Sequence, residues 1–252
     1  MIHLSKFLIG IRHNRVFRAR SLTGQLIDDI LIECPSKFTK VAESQDREEV
    51  ILTDKKKSLS FRNNKDDIII ESNKIFDWDI EKYIEIDKKE LLEYSEKCLT
   101  IVANTLSLKN DFKRIGIIFE LRIPKWDIIK ASNFATLIQT NFVNYPLPKD
   151  TLEIAESNLR FAYKLKAPGG GVIKKIDDYR NIIVRIEESK GINEKGEEEK
   201  CLLLSADIQH YFDPLKNSKE IIIKEHFSFA EEHLKTSILP IFKDKGIDIT
   251  YE

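Results

Sequence analysis

Cysteine, glycine and proline are all scarce in this chain: its 252 residues carry 3 Cys, 9 Gly and 7 Pro. So little glycine and proline excludes collagen-like and low-complexity character. With 42% hydrophobic and 33% charged residues, the chain reads instead as an ordered globular protein with a heavily charged surface. The cysteines, Cys34, Cys98 and Cys201, are odd in number and far apart, with no C-x-x-C pair and no neighbouring histidine cluster. That pattern excludes a disulfide scaffold and zinc-finger spacing, so each thiol is expected to be a small core residue in a reduced, cytoplasmic protein. Long apolar runs are also missing. No stretch approaches the roughly 20 residues that span a bilayer, and Phe7 to Ile11 is too short for a signal-peptide core and is followed at once by Arg12 and His13. No membrane partner is expected. Finally, neither charge sign dominates: 41 Lys and Arg face 42 Asp and Glu, for a net charge of −1. This balance argues against a dedicated, sequence-indifferent nucleic-acid binder and leaves room only for a local basic patch.

What the chain does have is a short segment used twice. Ile9-Gly10-Ile11 and Ile115-Gly116-Ile117 each open a comparable series of elements. In the first series, Phe7 to Phe17 has strand composition, Thr23 is a candidate N-cap for a helix over Gln25 to Ile32, and Pro35 prevents its continuation. Three short strands are expected at Val50 to Thr53, Ser58 to Arg62 and Asp67 to Glu71, separated by charged or turn-forming residues. Asp87 with Glu90 forms a capping-box-like start to a long helix reaching Leu106, whose apolar stripe runs through Leu91, Tyr94, Cys98, Ile101 and Val102.

The second series follows the same order. Arg114 to Ile123 reads as a strand, Ser132 can cap a helix through Asn141, and Leu159 to Ala167, Asn181 to Glu187 and Cys201 to Phe212 read as three strands. Ser228 with Glu231 spells a capping box for a last helix, which Pro240 should kink or end. The expected fold class is therefore α+β: a tandem duplication of a strand-helix-three strands-helix unit, with antiparallel sheets covered by long helices. The two halves span residues 1–110 and 111–252, dividing near Ser107 to Asp111. This arrangement resembles the architecture shared by the TATA-box-binding protein and its relatives, which implies a fold and no function.

Several further positions carry a second resemblance. The I-G-I strand followed by Leu22-Thr23-Gly24, the Arg114-Ile115-Gly116 strand start, Asp207-x-x-x-Tyr211, and Glu232-His233-Leu234 with Phe242 are similar to a sporadically distributed bacterial family of proteins of about 250 residues. The resemblance covers nearly the whole chain. That family has no established activity, so it implies a bacterial setting, and its patchy distribution suggests phage defence.

No motif of high specificity for catalysis is present. Asp178, Glu188 and Lys190 follow the order of restriction-type nucleases, in which an Asp and a Glu hold a divalent ion and a Lys two residues on activates water; period-two alternation puts Glu188 and Lys190 on one strand face. The blander reading is a solvated hairpin end beside Gly191. Asp207, His210 and Asp213 are ligand types, but Asp207 and His210 should project to opposite faces of a strand, so no metal or other cofactor is expected. Gly169-Gly170-Gly171 with Lys174 and Lys175 lacks the G-K-[ST] ending of a phosphate loop, and the stretch from Gly191 to Lys200 reads as an exposed hairpin tip.

The most suggestive electrostatic feature is the N-terminus. Arg12, Arg15, Arg18 and Arg20 precede the first acidic residue, Asp28, and on an alternating strand Arg12, Arg18 and Arg20 would share one side. They could contact phosphates or an acidic partner, or simply protect an edge strand from aggregation. The favoured expectation is a non-catalytic binding or assembly module acting with a protein partner or as a homo-oligomer. The alternatives are a nucleic-acid-binding protein using the sheet face and basic first strand, and a metal-dependent nuclease.

Overall fold

Apolar and polar residues alternate along almost every long strand, and pairing these strands side by side gives one sheet with a dry face and a polar face. The structure is a computed structural model and describes residues 3–35, 37–43, 49–56, 58–77, 79–108, 112–124, 138, 158–166, 179–192, 197–212 and 221–244. In chain order these form β1 (His3–His13), α1 (Ala19–Glu33), β2 (Lys40–Glu43), β3 (Glu49–Thr53), β4 (Leu59–Asn64) and β5 (Asp67–Asn73). A small hairpin, β6 (Ile75–Asp77) and β7 (Lys82–Ile84), leads to α2 (Lys88–Thr105). Then come β8 (Phe112–Pro124), β9 (Asn158–Lys166), β10 (Tyr179–Ile192), β11 (Glu198–Tyr211) and α3 (Ile223–His233). A π-helical turn, Leu234–Ile238, joins α3 to the short α4 (Leu239–Lys243).

Nine strands form the main sheet in the order β2-β3-β4-β5-β1-β8-β11-β10-β9, with every neighbouring pair antiparallel. The protein is α+β. At the centre β1 pairs with β8, with Gly10 opposite Gly116, Ile9 opposite Ile117 and Ile11 opposite Ile115. The dry face is continuous across this seam: Phe7, Ile9 and Ile11 on β1 are buried beside Phe119, Ile117 and Ile115 on β8, then Ala206 and Ile208 on β11 and Val184 and Ile182 on β10. Helices cover this face. Phe227 of α3 meets Phe7 edge-on at 5.5 Å, and Phe7 stacks on Phe119 at 5.2 Å.

Several element starts differ from expectation for identifiable reasons. β1 stops at His13 rather than continuing to Phe17, and α1 begins at Ala19 rather than Gln25. Thr23 is therefore inside α1, buried, with its hydroxyl donating to the Ala19 carbonyl at 3.2 Å; this i−4 back-bond competes with capping for the same hydroxyl. Similarly α3 starts at Ile223, so Ser228 is an exposed mid-helix residue and not the N-cap of a capping box. The α2 start is as expected, with the Asp87 carboxylate accepting from the Glu90 N–H at 2.9 Å. Pro240 has no N–H to offer the preceding turn, and the helix widens into a π turn just before it. The strand β2 and the β6–β7 hairpin add to the expected set. Of the expected helix over residues 132–141, only Ile138 lies within the described residues, where it is helical and buried.

The paired glycines are not forced by crowding. A Cβ on Gly10 would meet Leu8 Cδ2 at 3.5 Å, and one on Gly116 would meet Asp207 Oδ1 and Gln209 Cγ at 3.5 Å, all ordinary van der Waals distances. Since glycine in a strand interior costs conformational entropy, Gly10→Ala and Gly116→Ala are each expected to be neutral or stabilising by up to about 1 kcal/mol. Urea denaturation measures this; a loss above about 1 kcal/mol in either variant would show that the central seam needs glycine.

Candidate functional site

The four arginines singled out at the N-terminus do not form one patch. Only Arg12 is on the strand, where its Nε and Nη2 donate to the two Asp67 carboxylate oxygens at 2.9 and 2.8 Å. Arg15 lies over the ring of Phe17, in the turn after β1, and Arg20 is an exposed residue of the first turn of α1. Arg18 precedes that helix and donates to the Leu106 carbonyl at 2.7 Å, where a guanidinium satisfies an orphan acceptor at the C-terminus of α2. The expectation that Arg12, Arg18 and Arg20 share a strand side is thus corrected, because the chain turns into a helix between them. Arg18 has a structural partner.

The structure concentrates cations elsewhere, on the polar face of the sheet. Near β4, β5 and β1, Lys6 pairs with Glu71 at 3.1 Å, Arg12 with Asp67 at 2.8 Å, and Arg62 approaches Glu49 at 3.8 Å. On the other side of the central seam the same face carries Arg114 and Arg122 of β8, Arg160 and Lys164 of β9, and Arg185 of β10. None of these five makes an ion pair among the described residues. Arg160 and Arg185 are direct cross-strand partners, and both are exposed. Like charges placed opposite each other on neighbouring strands destabilise a sheet, so this pairing is a local cost to stability.

Beside the arginines runs a ladder of stacked groups. Tyr211 of β11 and Tyr179 of β10 are cross-strand partners whose rings stack at 4.8 Å and 6°. Arg114 lies 5.7 Å from the Tyr211 ring centroid, and Lys164 lies 4.8 Å from that of Tyr179, so a cation flanks the aromatic pair on each side. The Tyr211 hydroxyl donates to Gln209 Oε1 at 3.0 Å, and Gln209 Nε2 donates to Asp207 at 2.6 Å. Burial pushes the Asp207 carboxyl up, against the opposing pull of that hydrogen bond and of Arg114 and Arg185. Asp207 is therefore less inclined to carry charge, while the same face also holds Glu120, in the row of Arg185 and Arg160, and Glu187, two residues along β10 from Arg185.

The other candidates fall in separate places. Glu188 and Lys190 share a strand face, but each pairs with an opposite charge: Glu188 with Lys200 at 2.6 Å and Lys190 with Glu198 at 3.0 Å. Asp178, Asp213, Gly169 to Gly171 and Lys174 and Lys175 lie outside the described residues. Among the described residues no group of three or more His, Cys, Asp or Glu is arranged to hold a metal ion. Asp207 and His210 do project to opposite faces, as alternation requires: Asp207 shares the row of Ile118, while His210 shares the row of the buried Ile115. The three cysteines are buried, and two of them are neighbours. Cys34, which caps the C-terminus of α1, receives a hydrogen bond from Cys98 of α2, which draws its thiol down to about 7 while Cys98 is held up.

No protein-family model and no curated protein matches this chain. No helix among the described residues is long and apolar enough to cross a membrane. The functional reading therefore rests on the side chains themselves. Sequence reasoning missed Arg114, Arg160, Lys164 and Arg185 although each sits opposite an apolar position in an alternating strand. Alternation gives the face of one strand, and only the register between β8, β11, β10 and β9 shows that these positions converge.

Proposed function

We propose that this protein is a non-catalytic binding module whose polar sheet face, over β8, β11, β10 and β9, takes the phosphate backbone of single-stranded nucleic acid. The observation that carries this reading is the set of five cations that make no ion pair among the described residues, with Arg160 directly opposite Arg185. A phosphate strand would supply the missing counter-charge and turn a local destabilisation into binding energy. The two tyrosines stand in the same patch, where a base displacing Lys164 or Arg114 from a ring face could stack. Balanced overall charge is compatible with this, because a local group of cations on one face does not require an excess over the whole chain.

The experiment is a salt series for binding of a single-stranded oligonucleotide by the unmodified chain. If Arg114, Arg160, Lys164 and Arg185 neutralise about four phosphates, the log-log slope is about −3, a loss of roughly 50-fold between about 50 and 200 mM salt. A slope near zero, or no binding at about 50 mM salt, would defeat the reading.

The expected protein partner has its own support in Phe17, which is 84% exposed, and Ile32, which is 71% exposed. Both belong to the α1 region, so a protein contact there would leave the basic face free.

On architecture, we propose that residues 1–110 and 111–252 are duplicated halves with the fold shared by the TATA-box-binding protein and its relatives. Support comes from the strand order, which reads outward from the seam as β1-β5-β4-β3-β2 on one side and β8-β11-β10-β9 on the other. Gly10 facing Gly116 supports the same reading, since an axis relating two duplicated halves would pass through the repeated segment. An experimental structure in which the halves superpose without matching Gly10 to Gly116 would contradict the duplication.

A further inference from the structure

On the opposite, helix-covered face, a second group of charged and aromatic side chains gathers where α3 crosses the ends of β9, β10 and β11. Arg180 of β10 stacks on Phe229 of α3, with its guanidinium carbon 3.5 Å from the ring centroid. His233 lies parallel to the same ring at 5.6 Å, and its Nε2 is 2.8 Å from the hydroxyl of Tyr163 on β9. His226, about two helical turns earlier, meets His210 of β11 edge-on at 5.1 Å, and His210 is the direct cross-strand partner of Arg180.

Among the described residues no carboxylate pairs with Arg180, His226 or His233. Arg180 makes no ion pair among the described residues, and its Nε is buried without an acceptor. Burial draws the Arg180 guanidinium down, with no opposing pull from a carboxylate among the described residues. Burial also holds His226 down at about 4, helped by His210 and Arg180, and lowers His233, helped by Arg180. The α3 carboxylate Glu231 is occupied by Lys88 of α2 and by Lys235. A buried cation without a counter-charge is costly, and a guanidinium stacked on a ring keeps its in-plane N–H donors for a planar or tetrahedral oxyanion.

We infer that this cluster is a binding site for a small phosphate-type oxyanion, held by the Arg180 guanidinium and the imidazoles of His226 and His233. The anion supplies the counter-charge that Arg180 lacks among the described residues. A bound anion favours the charged imidazoles and so lifts both titration midpoints from the lowered values of the free chain. Each imidazole that then takes a proton from solvent becomes a second donor, so binding is accompanied by proton uptake and strengthens as pH falls. The inference is independent of the basic polar face, which lies on the other side of the sheet.

The test is calorimetric titration of the full chain with inorganic phosphate and, as an oxyanion whose own charge is constant over this range, sulfate, at about pH 6 and pH 8 and constant ionic strength, in buffers of different ionisation enthalpy. Proton uptake seen with sulfate belongs to the protein. Expected are a roughly tenfold or greater gain in affinity at the lower pH, measurable proton uptake, and a roughly tenfold loss in Arg180→Lys, which cannot reproduce the bidentate fork. Lys89→Glu, at an exposed position of α2 outside both basic groups, should leave phosphate binding unchanged. A nucleoside monophosphate titrated in parallel separates the sources: tighter binding than phosphate points to a nucleotide resting on the Tyr163 and Phe229 rings, equal binding to the free anion. No binding at about pH 6, or binding equal in Arg180→Lys, overturns the site. Should Arg180→Lys fail to fold, NMR titration of the His226 and His233 ring protons in the unmodified chain decides. Phosphate must raise both titration midpoints relative to chloride, and unchanged midpoints refute the inference.

Discussion

Phe119→Ala is expected to destabilise the protein by about 3 to 5 kcal/mol, the range for truncating a fully buried aromatic residue. Phe119 sits on the central strand β8 with none of its surface exposed, stacked on Phe7 across the seam at 5.2 Å and tilted against Phe227 of α3 at 6.2 Å. Removing the ring opens a cavity where β1, β8 and the covering helix α3 meet. The pleated backbone on either side cannot close over it, because both neighbouring strands are held by ladder hydrogen bonds along their length. For a domain whose net stability is about 5 to 15 kcal/mol, this is a large fraction. Phe17→Ala, at a position 84% exposed, is the control and should change stability by less than about 0.5 kcal/mol. Guanidinium denaturation compares them, and a cost below about 1 kcal/mol for Phe119→Ala would mean the seam is not the core.

Acid should weaken the fold through His226. In the folded chain burial, with His210 and Arg180 nearby, holds this imidazole neutral down to about 4, whereas in the unfolded chain it takes its proton at its ordinary value of 6.5. The unfolded state therefore binds more protons throughout the interval between these values. Stability is fully present above pH 6.5 and is lost as pH falls toward 4; a gap of 2.5 corresponds to a total of about 3 kcal/mol. Burial also lowers His13 and His233, which adds loss in the same direction. The measurement is stability against pH in a phosphate-free buffer. His226→Gln should flatten the profile between pH 6.5 and 4, and an equally steep profile in that variant would assign the acid sensitivity to other groups.

Much of the fold was legible because strand alternation and helix stripes report burial directly. α2 could be read from Asp87 and Glu90 to Leu106 because a carboxylate cap and a 3.6-residue stripe agree there. Where one residue type serves two purposes, the reading slipped: the hydroxyls of Thr23 and Ser228 suggested caps and sit inside helices. The candidate site was less legible still. Four arginines close together in sequence separate once a strand gives way to a helix between His13 and Ala19. Arg114, Arg160 and Arg185, far apart in sequence, gather because β8, β11, β10 and β9 lie side by side. Long-range register is the missing information, since a shift of one residue would send every one of these side chains to the other face. The same holds for Cys34 and Cys98, whose contact depends on two helices packing together.

The claim that the polar face binds nucleic acid is tested most directly by comparing the unmodified chain with the Arg160→Glu/Arg185→Glu double variant. Both positions are exposed on strands whose opposite face is buried or half-buried, so the exchange should leave the fold intact, and circular dichroism checks this. Fluorescence anisotropy of a labelled single-stranded oligonucleotide at about 50 mM salt reads the affinity. The expected result is binding in about the micromolar range by the unmodified chain and at least about 100-fold weaker binding by the double variant, since two phosphate contacts become two repulsions. Equal affinity in the two proteins, or no binding by either, would contradict the account.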